Sequence, residues 1–218
     1  MDKKTNILFA LLLSSLFSCT TDKRLNNEAV QEEIKSREAI KITEAEILSK
    51  VQVIGNEIAV TAKKTLGKNL KNALQQGGVE NAISFCNLNA MPLVDSLSKK
   101  IDAKIRRVTY KARNPNNIPT DVEKSLLEAY QFQWNDSIPL KENVQPLEGD
   151  IYLFTKPILV DNALCLTCHG ALENGLSQET KDFIKLKYPM DKATDYKLGD
   201  LRGMWSISIP KKKIIQSF

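Results

Sequence analysis

Residues 47–78, ILSKVQVIGNEIAVTAKKTLGKNLKNALQQGG, decide the first half of the fold. Ile47, Val51, Ile54, Ile58, Ala62, Leu66, Leu70 and Leu74 recur every three or four residues and so line one face of a long helix. Gln75-Gln76-Gly77-Gly78 ends it, because glycine past the last periodic residue is a usual helix stop. A second helix is predicted from Val79, with Val79, Ile83, Cys86 and Ala90 on one stripe. Pro92 kinks or restarts it, and the pattern resumes through Leu93, Leu97 and Ile101.

Beyond Lys104 the period changes. Ile105 to Tyr110 alternates and reads as a strand, and Arg113 to Pro119, with two prolines and three asparagines, reads as turns. A third helix is expected over Asp121–Phe132, one strand or two short ones over Ile151–Val160, a polar helix near Gln178–Lys187, and a last strand over Met204–Ile209. Helices first and an interrupted antiparallel sheet after them make the fold class α+β. There is no internal repeat.

Upstream of the long helix, Lys3 and Lys4 precede an apolar run from Ile7 to Phe17, too short to span a bilayer and right for a secretory signal. It ends in Leu16-Phe17-Ser18-Cys19, which resembles the lipobox of bacterial lipoproteins, with Phe17 bulkier than usual at its place. A plain signal with an incidental cysteine is the competing reading. The expected division is a lipoprotein signal over 1–18, a tether and the start of the N-terminal helix over 19–44, and one domain over 45–218. Cys19 is the expected lipidation site, and the expected location is the cell envelope, lipid-anchored and facing the periplasm.

The net charge is +5 in 218 residues, with 26% charged and 6% aromatic side chains, ordinary for a globular domain. No basic stripe with interleaved aromatics runs along the chain, so nucleic acid is not an expected partner. Lys211, Lys212 and Lys213 read as solvated surface rather than a docking patch.

Cys165-Leu166-Thr167-Cys168-His169 is the C-x-x-C-H pattern of covalent haem attachment. Two thiols must reach the two vinyl groups of one porphyrin while the adjacent imidazole reaches iron from the same side, which makes His169 the proximal ligand. A zinc site would need a second ligand pair that the chain lacks. A redox dithiol would leave His169 unexplained, and a Cys165–Cys168 disulfide is geometrically tight. The implied cofactor is one covalent haem c.

His169 is the only histidine of the chain, so bis-histidine ligation within one chain is excluded by counting. With Cys19, Cys165 and Cys168 assigned, Cys86 is the one cysteine left over. On position alone it reads as a small core residue. Met91, Met190 and Met204 are the rival sixth ligands.

The segments Ala82-Ile83-Ser84-Phe85-Cys86-Asn87, Arg107-Val108-Thr109, Arg113-Asn114-Pro115-Asn116-Asn117, the haem motif with Gly170, Tyr188-Pro189-Met190-Asp191-Lys192-Ala193 and Gly199-Asp200-Leu201-Arg202-Gly203 occur in order between about Ile47 and Pro210. Together they resemble a family of bacterial and cyanobacterial single-haem proteins with a PAS-like fold. The resemblance implies that Cys86 supplies a thiolate trans to His169, and that the protein acts in redox sensing or electron transfer. Arg107 and Arg113 become candidates to pair with haem propionates through forked hydrogen bonds. Surface arginines in a loop are the competing reading.

The family often occurs fused to signalling domains. This chain carries no transmembrane helix and no output domain, so an unidentified redox or signalling partner protein is expected. Two other function classes stand beside this one. A peroxidase would need a distal acid–base group, and no second histidine exists to serve. A sensor of diatomic gases would need a weak, displaceable distal ligand.

Overall fold

The computed structural model describes residues 27–36 and 41–218. The signal over 1–18, Cys19 and the first part of the tether lie outside the described residues. The chain divides into two compact units, Met1–Lys41 and Ile42–Phe218. In the first, α1 (Asn27–Ser36) is a polar helix with Glu28 in its first turn and Lys35 in its last, the polarity that suits the helix dipole.

The second unit opens with α2 (Glu44–Leu88). Thr43 starts it with a reciprocal cap: its hydroxyl accepts from the Glu46 amide at 3.3 Å, and the Glu46 carboxylate accepts from the Thr43 amide at 2.7 Å. The predicted glycine stop is a break within one continuous contour. Gly77 (φ −160°, ψ 27°) and Gly78 (φ 66°, ψ −160°) leave helical geometry, and helix resumes directly after them. Gly78 sits at a positive φ that side chains disfavour. The Asn81 amide donates to the Ala73 carbonyl at 2.8 Å, supplying a partner across the break.

Next comes α3 (Ala90–Ile101), with Pro92 in its first turn, where its missing N–H costs nothing. Then follow β1 (Lys104–Val108), a single 3-10 turn at Pro115–Asn117, and α4 (Asp121–Asn135), a turn longer than expected. After β2 (Asn143–Leu147) and β3 (Ile151–Leu159), the haem-motif helix α5 (Leu166–His169) and the polar α6 (Gln178–Lys187) precede β4 (Leu201–Pro210) and the one-turn α7 (Lys211–Ile215). The sheet runs β1-β4-β3-β2 and is antiparallel throughout. The α+β expectation holds.

The two faces of the sheet serve different helices. The first arm of α2 buries Ile47, Val51, Ile58, Ala59 and Ala62 against Tyr152, Phe154, Trp205, Ile207 and Ile209. The approach is close enough that a methyl built at Gly55 would collide with the Phe154 ring. On the opposite face α4 packs Leu127 and Tyr130 on Val108 and Met204. Glu123 anchors that helix: it meets Arg106 of β1 at 2.5 Å and the Ser206 hydroxyl of β4 at 2.7 Å.

Candidate functional site

The haem-motif residues sit on one tight turn. Asn162 caps the 3-10 turn Ala163–Cys165, accepting from the Leu164 amide at 2.8 Å, and the Gly170 amide closes α5 on the Leu166 carbonyl at 2.8 Å. Spacing of three residues on helical backbone brings Cys165 and Cys168 to the same side. Both are free half-buried thiols, as is Cys86. Burial pushes the Cys168 thiol up to about 11, with Arg113 pulling the other way.

His169 is held by the segment that follows α6. Its Nδ1 lies 2.7 Å from the Ala193 carbonyl. A carbonyl only accepts, so Nδ1 carries the proton and Nε2 is left bare, the tautomer a metal-binding imidazole needs. Burial, and then the charges of Arg202 and Arg113, hold the ring neutral, well below the usual histidine range. The Tyr196 ring stands nearly perpendicular to it at 6.4 Å between centroids. The backbone zips alongside, with Asp195 and Tyr196 amides donating to the Gly170 and His169 carbonyls at 3.1 and 3.0 Å.

Arg113 buckles this assembly. Its Nε and Nη2 take the Asp191 carboxylate at 3.1 and 3.2 Å, and Nη2 also donates to the carbonyls of Cys168 at 2.6 Å and Ala193 at 3.3 Å. Arg113 is therefore engaged within the chain, on the haem motif itself, rather than lying as a surface arginine. Arg107 differs. Among the described residues it has no hydrogen-bond or ion-pair partner, while Cys86 and Tyr188 lie close enough for their charges to act on it. Arg107, His169 and Arg202 are each half-buried.

Cys86 lies in the second arm of α2, within electrostatic reach of Arg107, Arg113, Cys168 and Tyr188. Burial pushes its thiol up, and the two arginines pull it down. Cys168 packs against the cluster of Ile83, Leu176, Ile184 and Tyr188, so the second arm and the haem motif share one small core. The rival methionines stand elsewhere: Met204 is fully buried between α4 and the sheet, and Met190 is 70% exposed. Met91 is half-buried in the first turn of α3.

The sequence profile of the Tll0287-like family matches residues 25–210. This chain belongs to the Tll0287-like family. The expectation drawn from the ordered segments is borne out, and the match reaches further toward the N-terminus than those segments did. A solved member, described as the cyanobacterial heme-protein Tll0287, is similar at 26% identity with a TM-score of 0.51, covering 70% of this chain and 92% of that chain. Among curated proteins none matches the chain.

Against this family background Arg202 is the site residue that sequence reasoning passed over. It stood inside a quoted segment, Gly199 to Gly203, but nothing in that segment told a functional arginine from a turn. The structure sets its guanidinium 5.1 Å from the Tyr196 ring centroid, with Nη1 donating to the Thr109 hydroxyl at 3.2 Å and the Lys111 carbonyl at 3.3 Å. Among the described residues no group of three or more His, Cys, Asp or Glu side chains is placed to hold a bare metal ion.

Proposed function

We propose that this chain is a c-type cytochrome with one haem, covalently attached to Cys165 and Cys168 and ligated by His169 and Cys86. Its role is redox sensing or electron transfer rather than catalysis. The observation that carries the reading is the His169 Nδ1–H···O=C bond to Ala193, which bares Nε2 beside two thiols on one helical turn.

The residues fit the group. The chain offers two thiols, one bare imidazole nitrogen and a third thiol under two guanidinium charges. A porphyrin brings its own four nitrogens, so the protein needs to supply only the axial positions. Arg107, free of any carboxylate, is the stronger candidate for a propionate, because Arg113 already binds Asp191.

Bound there, haem supplies one-electron chemistry. The protein's part is to set its poise. Ala193 orients His169 and strengthens it as a donor. Arg107 and Arg113 favour an anionic sulfur at Cys86. With both His169 and Cys86 holding the haem, no place would be left for peroxide, which supports a redox role over peroxidase chemistry.

At the N-terminus, the reading adds a lipid on Cys19 and an envelope location facing the periplasm, supported by the apolar run and lipobox-like residues. Among the described residues no helix is long and apolar enough to cross a membrane.

The test is the ferric and ferrous absorption spectrum of wild type and Cys86→Ala, each with and without carbon monoxide. Wild type should be low-spin in the ferric state, and Cys86→Ala should be high-spin or re-ligated with a raised potential. Unchanged spectra and potential would remove Cys86 from the iron. Rapid binding of carbon monoxide by ferrous wild type would favour the gas sensor.

A further inference from the structure

The three most exposed large apolar side chains among the described residues are Leu186, Met190 and Leu88, at 71, 70 and 67%. Single exposed apolar residues are ordinary, but several brought to one place mark an interaction surface. These three meet where α2 and α6 end. The Asn87 amide donates to the Lys187 carbonyl at 3.1 Å, so Leu88 and Leu186 each stand one residue from the same bond. Met190 follows in the turn that the Asp191 amide closes on the Tyr188 carbonyl at 3.0 Å.

The surroundings are basic. Residues 81–94, which include Leu88, carry no charged side chain. Between residues 182 and 192 the exposed charges are Lys185, Lys187 and Lys192 against Asp182 alone, three cations to one carboxylate. None of these lysines is ion-paired among the described residues. Asp191 is turned inward, in its pair with Arg113. The patch also adjoins the candidate haem site: Leu88 lies two residues beyond Cys86, and Tyr188, between Leu186 and Met190 in sequence, is buried in the cluster that Cys168 joins.

We propose that this patch is the docking face for the redox partner, a protein whose contact surface is apolar at its centre and acidic around it. The inference deepens the redox reading above and rests on it for the partner's class. Apolar contact supplies affinity, while opposite charge steers the encounter and fixes its register. Position favours a protein over a lipid surface. The first arm of α2 is about 50 Å long and the second about 15 Å. Leu88 therefore lies far from Glu44, where the chain leaves toward Cys19, whatever the angle at Gly77-Gly78.

The probe is a plant-type ferredoxin, a small acidic one-electron protein, titrated calorimetrically into the chain as purified. Wild type should bind it saturably, about tenfold more weakly when salt is raised to about 0.2 M. Lys187→Glu and Leu186→Ser should each weaken binding about tenfold. Lys212→Glu makes the same change of charge on α7, whose Ile214 is buried with Ile47 and Val51 at the other end of α2, and should leave binding unchanged. In stopped flow the reduced probe should pass one electron to the ferric protein with the same ranking of rates, whereas dithionite should reduce all four forms alike. No binding by wild type, binding indifferent to Lys187→Glu and Leu186→Ser, or equal loss in Lys212→Glu would overturn the proposal. So would a wild-type dimer that Leu186→Ser separates, or sedimentation with phosphatidylglycerol vesicles through the same two residues, which would assign the patch to a second copy or to lipid. The calorimetry reads contact alone, so it decides the patch even where Cys86 or His169 proves not to hold iron.

Discussion

Arg113 and His169 donate to the same carbonyl oxygen, that of Ala193, from 3.3 and 2.7 Å. The arginine thereby touches the group that orients the imidazole, and the Cys168 carbonyl as well. Arg113 and Asp191 have side chains only 11% and 8% exposed. Breaking such a pair from one side strands a buried charge, at about 3–5 kcal/mol. Arg113→Leu should therefore unfold well below wild type in thermal melts, and Arg113→Leu with Asp191→Asn should recover part of the loss. A double variant no more stable than the single one would place the cost elsewhere.

Glu123 predicts a pH dependence. Burial raises its pKa, but the Thr120 amide, the Ser206 and Thr120 hydroxyls and the Arg106 charge together outweigh it and leave the carboxyl below its ordinary 4.5. A carboxyl with a depressed folded value contributes stability that is complete above the unfolded pKa and is lost as pH falls through the folded one. At neutral pH, Glu123→Gln should destabilise by about 1–3 kcal/mol, the worth of charged hydrogen bonds. The difference from wild type should shrink below pH 4.5 in chemical denaturation. A gap that stays constant down to acid pH would contradict the assignment.

Gly55 faces the Phe154 ring with no space for a methyl. Gly55→Ala gains helix propensity of about 1 kcal/mol, yet it forces α2 off the sheet. Overpacking costs about 1–3 kcal/mol, so the net change should be a lowered melting temperature. A stabilised variant would show that the interface can shift to admit the methyl.

Arg107 predicts a shift in potential. With haem held as proposed, the Arg107 guanidinium would disfavour the more positive ferric state. Arg107→Gln should accordingly lower the midpoint potential in a spectroelectrochemical titration while leaving the axial ligands, read from the ferric spectrum, unchanged. A raised or identical midpoint would separate Arg107 from the haem.

Covalent attachment predicts its own loss. Wild type matured by a cytochrome c assembly system should retain haem through denaturing electrophoresis, and Cys165→Ser with Cys168→Ser should release it. Freely extracted haem from wild type would rule out the thioether reading.

Much of this was legible because it was periodic or local. The apolar stripe from Ile47 to Leu74, the Gly77-Gly78 break and the alternation before Pro210 are written at fixed spacings that backbone geometry enforces. The strand β2 was not legible. It is an edge strand, pairing on one side only, so it tolerates Pro146 and shows no alternation. The haem motif was readable because its chemistry fixes its spacing. The Ala193 carbonyl was not, since any residue could present one and only the fold determines where it points. Arg113 and Arg202 carried no local sign of their partners, which lie 78 residues away at Asp191 and 93 away at Thr109.

The diglycine break in α2 has a kinetic reading. Its first arm is locked into the sheet core through Val51 and Ile58, while its second arm belongs, through Ile83, to the separate cluster around Tyr188. Cooperative units follow shared burial rather than chain contour. Amide protons of residues 79–88 should thus exchange with solvent deuterium on the schedule of the haem-motif segment, and those of the first arm on the slower schedule of β3 and β4. The longest helix in the chain is two foldons joined end to end.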